Sequence, residues 1–251
     1  MSNVAVKENI ADVEANVRKE IAPLIGEPHD FLAKVYTLCF MTVSLFTGQE
    51  VELKPITAQL QLLVRLTDFL RPIKTLCVNG YPEQAGTLTA SVFETAHTIL
   101  YFSHESSDAI KWIQSDSIDE QMPKMMGGKT WEQIVNSNYK HFNLTNPVAE
   151  YRIYKQLCWM KHGLPQMTKL IEKDGGAEFL YGPYTSDRSI NHAWFAMYHA
   201  GRLALLAIST VLSQAPKPLD SVLTERDQLT LLMEALNAKA AKKWPDPSPF
   251  K

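Results

Sequence analysis

Between Gly80 and Ile110 the chain carries no lysine or arginine. Apolar residues recur there every three or four positions, so the segment predicts a helix with little solvent-facing surface. Glu94 and His97 sit within it, one turn apart on neighbouring positions of one face. A carboxylate in so apolar a stretch must find a partner or take up a proton, because an unpaired buried charge is costly. The expectation is that Glu94 lies inside a bundle and is answered from a neighbouring helix by Arg65, in LQLLVRLTDFL, or by Arg202.

Helical rather than alternating periodicity runs through nearly all of the 251 residues. Val6, Ile10, Val13, Val17, Ile21 and Leu24 mark a first amphipathic helix that stops at Gly26 and Pro28. A second is predicted over about 30–46. A third covers 55–78, interrupted or bent at Pro72, which lacks the amide its turn would use. Others follow over 82–104 and 108–115, then from Thr130 as cap to His141 and from Pro147 to His162, with a short continuation at Pro165. Asp174 to Tyr184, rich in glycine, reads as a loop, and no segment reads as a strand. Ser186 or Asp187 caps a long helix to about Ser213, and a last helix spans about 221–242. The expected fold is all-α: one multi-helix bundle of about eight to ten helices over residues 1–243, with a glycine-rich loop before the helix near Asp187. Residues 244–251 form a proline-rich tail.

With 45% apolar and 21% charged residues the chain is ordinary globular material. A net charge of −2 and a pI near 6.4 supply no basic field, which argues against a dedicated duplex-DNA binder. Cys39, Cys77 and Cys158 are odd in number, contain no CxxC pair and sit in apolar runs, as reduced packing residues do. The N-terminal residues have no signal-peptide core. The apolar run from Phe31 to Phe46 contains Lys34 and falls short of the roughly 20 residues of a membrane span. A cytoplasmic protein without a membrane partner is expected.

Four groups of residues carry candidate chemistry. Thr87, Ser91, Glu94, Thr98 and Tyr101 share one helical seam, with His97 at its edge; it reads as a buried polar seam or as one wall of a pocket. Arg188, His192, His199 and Arg202 are spaced by four, seven and three, which lines them along one stripe. That stripe is a thin solvent strip, or a cationic face able to clamp carboxylate or phosphate. In YRIYKQLCWMKHGLP, Tyr151, Tyr154, Cys158, Lys161 and His162 fall along one face; His162 is a helix C-cap or a site residue. The Glu94–His97 pair also has the ExxH spacing of di-iron bundles, which need a second copy that this chain lacks. No metal or other cofactor is therefore expected. GxGxxG, P-loop, GxSxG and HExxH motifs are absent, and Gly127-Gly128-Lys129-Thr130 lacks the strand and upstream glycine of a P-loop.

The run LVRLTDFLRPIKTLCVNGYPEQAGTLTASVFETAHTILYF, with AIKWI, TWEQI and YRIYKQLCWMKHGLP, resembles a mostly bacterial family of all-helical domains of unknown function. Members share an Asn-Gly turn, a (Phe/Leu)-Glu-Thr helix and a Tyr-x-x-Leu-(Cys/Ser)-x-x-x-His run. Here these are Asn79-Gly80, Phe93-Glu94-Thr95 and Tyr154, Leu157, Cys158 and His162. The resemblance covers roughly Val64 to Pro165. Members often carry an Arg shortly before the Phe/Leu-Glu pair, where this chain has Thr87-Leu88-Thr89-Ala90. The pattern is also reminiscent of HEPN-type helical modules. Some of those are RNases whose Arg and His stand about four to six residues apart; Arg188 and His192 have three between them.

Two functional readings stay open. One is a helical module, possible as a homodimer, that binds a partner or small ligand through a polar pocket. The other is a metal-independent hydrolase or RNase of stress or phage defence. In that reading Glu94, His162, His192, His199 and Arg202 are catalytic, and Arg65, His97, Tyr101, Tyr154 and Arg188 bind the ligand.

Overall fold

The computed structural model describes residues 9–47, 55–115, 128–162, 170–173, 176–179, 183–215 and 219–243; for His162, Lys243 and the residues 170–173 and 176–179 it describes the backbone alone. Among the described residues, nine α-helices form an all-α bundle. They are α1 (Ile10–Ile21), α2 (Gly26–Ser44), α3 (Pro55–Val78), α4 (Pro82–His104), α5 (Ser106–Gln114), α6 (Trp131–His141), α7 (Pro147–His162), α8 (Asp187–Leu212) and α9 (Asp220–Lys243). A short 3-10 turn, Ala22–Leu24, links α1 to α2.

Local chemistry explains the helix ends. Pro82 opens α4 with its fixed φ. Thr130 and Gln133 close a reciprocal capping box at the start of α6, as Ser186 and Ser189 do at α8. Each cap satisfies amides that would otherwise be orphaned, worth about 1 kcal/mol. The Asn79-Gly80 turn between α3 and α4 requires glycine: φ is +83°, and a Cβ would meet Val17 and the Tyr184 amide. Arg18 on α1 donates Nε and Nη2 to Asn79 Oδ1 at 3.0 and 2.6 Å, which ties this turn to the first helix.

Two expectations are corrected. Of the interruption or bend expected at Pro72, the interruption does not occur, and α3 runs on through that residue. That residue is exposed, so the carbonyl it leaves without an amide partner faces water rather than the core. Part of the expected loop at 174–184 is instead the second strand of a hairpin. β1 (Leu170–Lys173) pairs antiparallel with β2 (Gly176–Phe179), with Lys173 opposite Gly176. The expected continuation at Pro165 and the tail beyond 243 lie outside the described residues.

α8 is the centre of the fold and packs against α2, α3, α4 and α9. Ala193, Ala196, Ala200, Ala204 and Ala207, spaced three and four apart, are all buried along it. Small side chains let α4 approach closely enough for Thr89 Oγ1 to donate to the Ala196 carbonyl at 3.3 Å. Gly201 receives the ring of Phe31 from α2 in the same way. By length and composition α8 could cross a membrane, with a mean hydropathy of 1.4; 78% of that apolar window is buried inside the bundle.

Candidate functional site

Asn146 caps α7, its Oδ1 accepting from the Ala149 amide at 3.1 Å. Glu150 therefore falls in the first turn, where the helix dipole favours a carboxylate. It also heads the inward stripe Ile153, Leu157 and Met160, and it is only 3% exposed. Arg202, from the middle of α8, answers it: Nη2 lies 2.8 Å from both carboxylate oxygens.

The pair extends into a buried network across four helices. His97 on α4 places Nε2 3.2 Å from Glu150 Oε1. Asn138 on α6 donates Nδ2 to the His97 carbonyl at 2.9 Å and sits 3.2 Å from His97 Nδ1. A carbonyl can only accept, so it sets the orientation of the Asn138 amide. Nδ1 of His97 is then an acceptor, the ring proton resides on Nε2, and Nε2 donates to Glu150. The other side of the amide, Oδ1, accepts from His104 Nε2 at 2.9 Å, and His104 stacks on His141 at 4.4 Å.

The charges follow from this geometry. Burial by itself would raise the Glu150 carboxyl, but the Arg202 guanidinium and the His97 hydrogen bond hold it well below the usual carboxylate range. Burial would lower Arg202, and Glu150 outweighs that and raises it. His199, one turn before Arg202, accepts from Arg202 Nε at 3.4 Å. Burial and that adjacent cation push its imidazole down to about 3. Burial likewise lowers His104, and burial with Glu150 raises Tyr139.

Arg202 also borders a surface depression of about 300 Å³ between α6, α8 and α9. Leu144, Leu205, Leu206 and Met233 supply its apolar walls, and Tyr139, Thr145, Ser209 and Thr230 carry hydroxyls on its lining.

No family model, curated protein or solved structure matches the chain.

The structure gathers only part of the expected constellation. Glu94 is paired neither with Arg65 nor with Arg202. It accepts a 2.8 Å hydrogen bond from Tyr154, lies 3.9 Å from Lys161 Nζ, and is 24% exposed rather than sealed inside. Arg65 lies on the exposed face of α3, and Arg202 is taken by Glu150. Tyr154 is raised by burial and by the Glu94 carboxylate, and its ring stacks on Phe93 at 4.7 Å. The seam on α4 divides: Thr87 and Thr98 donate to carbonyls four residues back on the same helix, whereas Glu94 and Tyr101 bond to neighbouring helices. Tyr101 turns away to Asp108 at 2.7 Å and receives Lys129 Nζ at 2.6 Å.

The stripe on α8 divides as well. His199 and Arg202 belong to the Glu150 network. His192, fully buried, sets Nδ1 3.3 Å from Glu83 Oε1, the same oxygen that accepts from Tyr184 at 2.8 Å. Arg188 is exposed at the start of the helix. The side chain of His162 lies outside the described residues. Cys39 and Cys77 are buried thiols, Cys39 pushed up to about 12 by burial, and Cys158 beside Tyr154 is raised by the same cause. Among the described residues, no three His, Cys, Asp or Glu side chains gather as a metal site.

Glu150, Asn138, Tyr139, His104 and Glu83 were missed by sequence reasoning. The signal for Glu150 was present: it stands three, seven and ten residues before Ile153, Leu157 and Met160 on an otherwise apolar stripe.

Proposed function

We propose that this chain is a helical binding module that takes a small ligand or partner segment at the depression beside Arg202, and that it is not a hydrolase. One observation carries the reading: the cation expected to stabilise developing phosphate charge is already matched by Glu150, and the adjacent imidazole is held far below neutral pH. A general base works best with a pKa near the operating pH, so His199 suits hydrogen-bond acceptance better than proton abstraction. The mixed lining of leucines and hydroxyls suits an occupant with an apolar body and a few hydrogen-bonding groups.

Membership of the resembled helical family, kinship with HEPN modules, self-association as a homodimer and a cytoplasmic setting belong to the same proposal. RNA is its alternative ligand, and RNA hydrolysis is the competing reading. The test has two arms. Turnover of single-stranded RNA and ATP is measured for wild type and His199→Ala, with and without EDTA, and background rates throughout are expected. Turnover in wild type that is lost in His199→Ala and insensitive to EDTA would overturn the binding reading. In parallel, the Met233 methyl resonance is followed during a fragment screen, and saturable shifts there are expected.

A further inference from the structure

A second depression, of about 290 Å³, lies between α2 and α3 and shares no lining residue with the one beside Arg202. Leu32, Ala33 and Leu70 form its floor, and both leucines are buried. Its rim is Tyr36, Thr37, Arg71 and Lys74. Arg71 and Lys74 stand three apart on α3 and so project side by side.

The polarity of that rim is one-sided. Arg71, Lys74 and the Tyr36 hydroxyl are donors, and none makes a side-chain hydrogen bond or ion pair among the described residues. The Thr37 hydroxyl already donates to the Ala33 carbonyl at 3.3 Å. No carboxylate lines the depression. Two adjacent cations without an acid between them repel one another, and an anion seated there relieves the repulsion. The contrast with Arg202 is direct, since Glu150 answers that charge from within the fold. The apolar side continues outward: the Tyr36 ring meets Phe40 edge-on at 4.9 Å, and Phe40 is 54% exposed.

We infer that the α2–α3 depression is a binding site for a small organic anion, a single ring or branched apolar body bearing a carboxylate or phosphate. The body rests on Leu32 and Leu70, and the anionic group sits between Arg71 and Lys74. The volume is at the small end for ligand sites, which limits the body to about one ring. This inference does not rest on the reading of the Arg202 depression.

The test is an amide NMR titration of the full chain with phenyl phosphate and, separately, benzoate. Inorganic phosphate and benzyl alcohol serve as the charge-only and ring-only arms. Saturable shifts are expected at the amides of residues 32–37 and 70–74 with at least one of the two aromatic anions. Each control arm should bind about tenfold or more weakly. Arg71→Gln/Lys74→Gln should weaken binding by a similar factor and leave the other amides in place, because Arg71 is exposed and Lys74 only partly buried. Three results would overturn the inference: no saturable shift with either aromatic anion, equal binding of inorganic phosphate, or binding unchanged in the double variant. Met233 does not line this depression, so failure here leaves the Arg202 depression to its own readout.

Discussion

Glu94 and Glu150 answer to different partners: Glu94 accepts from Tyr154, Glu150 from Arg202. The Phe93 ring touches both neighbourhoods, 4.7 Å from the Tyr154 ring and 4.3 Å from that of His97. One acid is partly in water, hydrogen-bonded to a phenol with the Lys161 ammonium at 3.9 Å, and the other is buried against a guanidinium.

Their substitutions should therefore differ in cost. Glu150→Gln strands the Arg202 charge and should destabilise by about 3–5 kcal/mol. Glu94→Gln should cost below about 1 kcal/mol. Urea unfolding of both variants checks this, and comparable losses would contradict the assignment. The double variant Glu150→Gln/Arg202→Met should recover part of the loss, because neither charge is then left alone.

Acid should weaken the fold in two stages. His199 binds a proton in the unfolded chain below its ordinary 6.5 but in the folded chain only near 3, so stability falls as pH drops through that window. His104, also lowered, acts in the same direction. Glu150 is held low in the folded state, so its contribution is present above the ordinary 4.5 and is lost as pH falls further. His199→Gln should flatten the slope between pH 6.5 and 4.5, by at most about 1.4 kcal/mol per pH unit. Unfolding free energies measured across pH 4 to 8 decide it.

The Asn138 amide should impose a single tautomer on His97. Nitrogen NMR of the histidines is expected to show His97 protonated at Nε2. Asn138→Leu should cost about 1–3 kcal/mol, since it leaves His97 Nδ1 without a donor and His104 Nε2 without an acceptor. A population of the Nδ1–H form in the wild type would refute the hydrogen-bond scheme.

Glycines in the middle of helices usually gain stability on replacement by alanine, but two here should not. At Gly201 a Cβ would sit 2.5 Å from the Phe31 ring, which is rigid and wholly buried. Gly201→Ala should cost about 1–3 kcal/mol. At Gly86 the obstacle is the thioether of Met160, which can rotate aside, so Gly86→Ala should cost less. Thermal unfolding of the pair gives the order.

Four helix starts were legible because their causes are local, whereas Gly26 and Pro28, expected to stop a helix, instead lie in the first turn of α2. Thr130, Ser186, Pro82 and Pro147 act on their own first turns, and the observed starts of α4, α6, α7 and α8 match them. Partners were not legible, because periodicity reports which residues share a face and never which face it meets. Arg202 was expected to answer an acid and does, yet that acid is Glu150 rather than Glu94. The hairpin escaped for another reason: its strands are four residues each, too short for a period of two to stand out. Asp174-Gly175, between the paired Lys173 and Gly176, was the available turn signal.

The central position of α8 has a consequence for biosynthesis. It occupies residues 187–212 of the chain, so it leaves the ribosome after α2, α3 and α4 have already emerged. At about 5–20 residues per second, the faces of Phe31, Cys77 and Thr89, which meet Gly201, Ala193 and Ala196, wait several seconds for the element that completes their burial. Nascent chains arrested before that point would present a large sticky surface, and they are the forms of this protein that chaperones should engage most avidly.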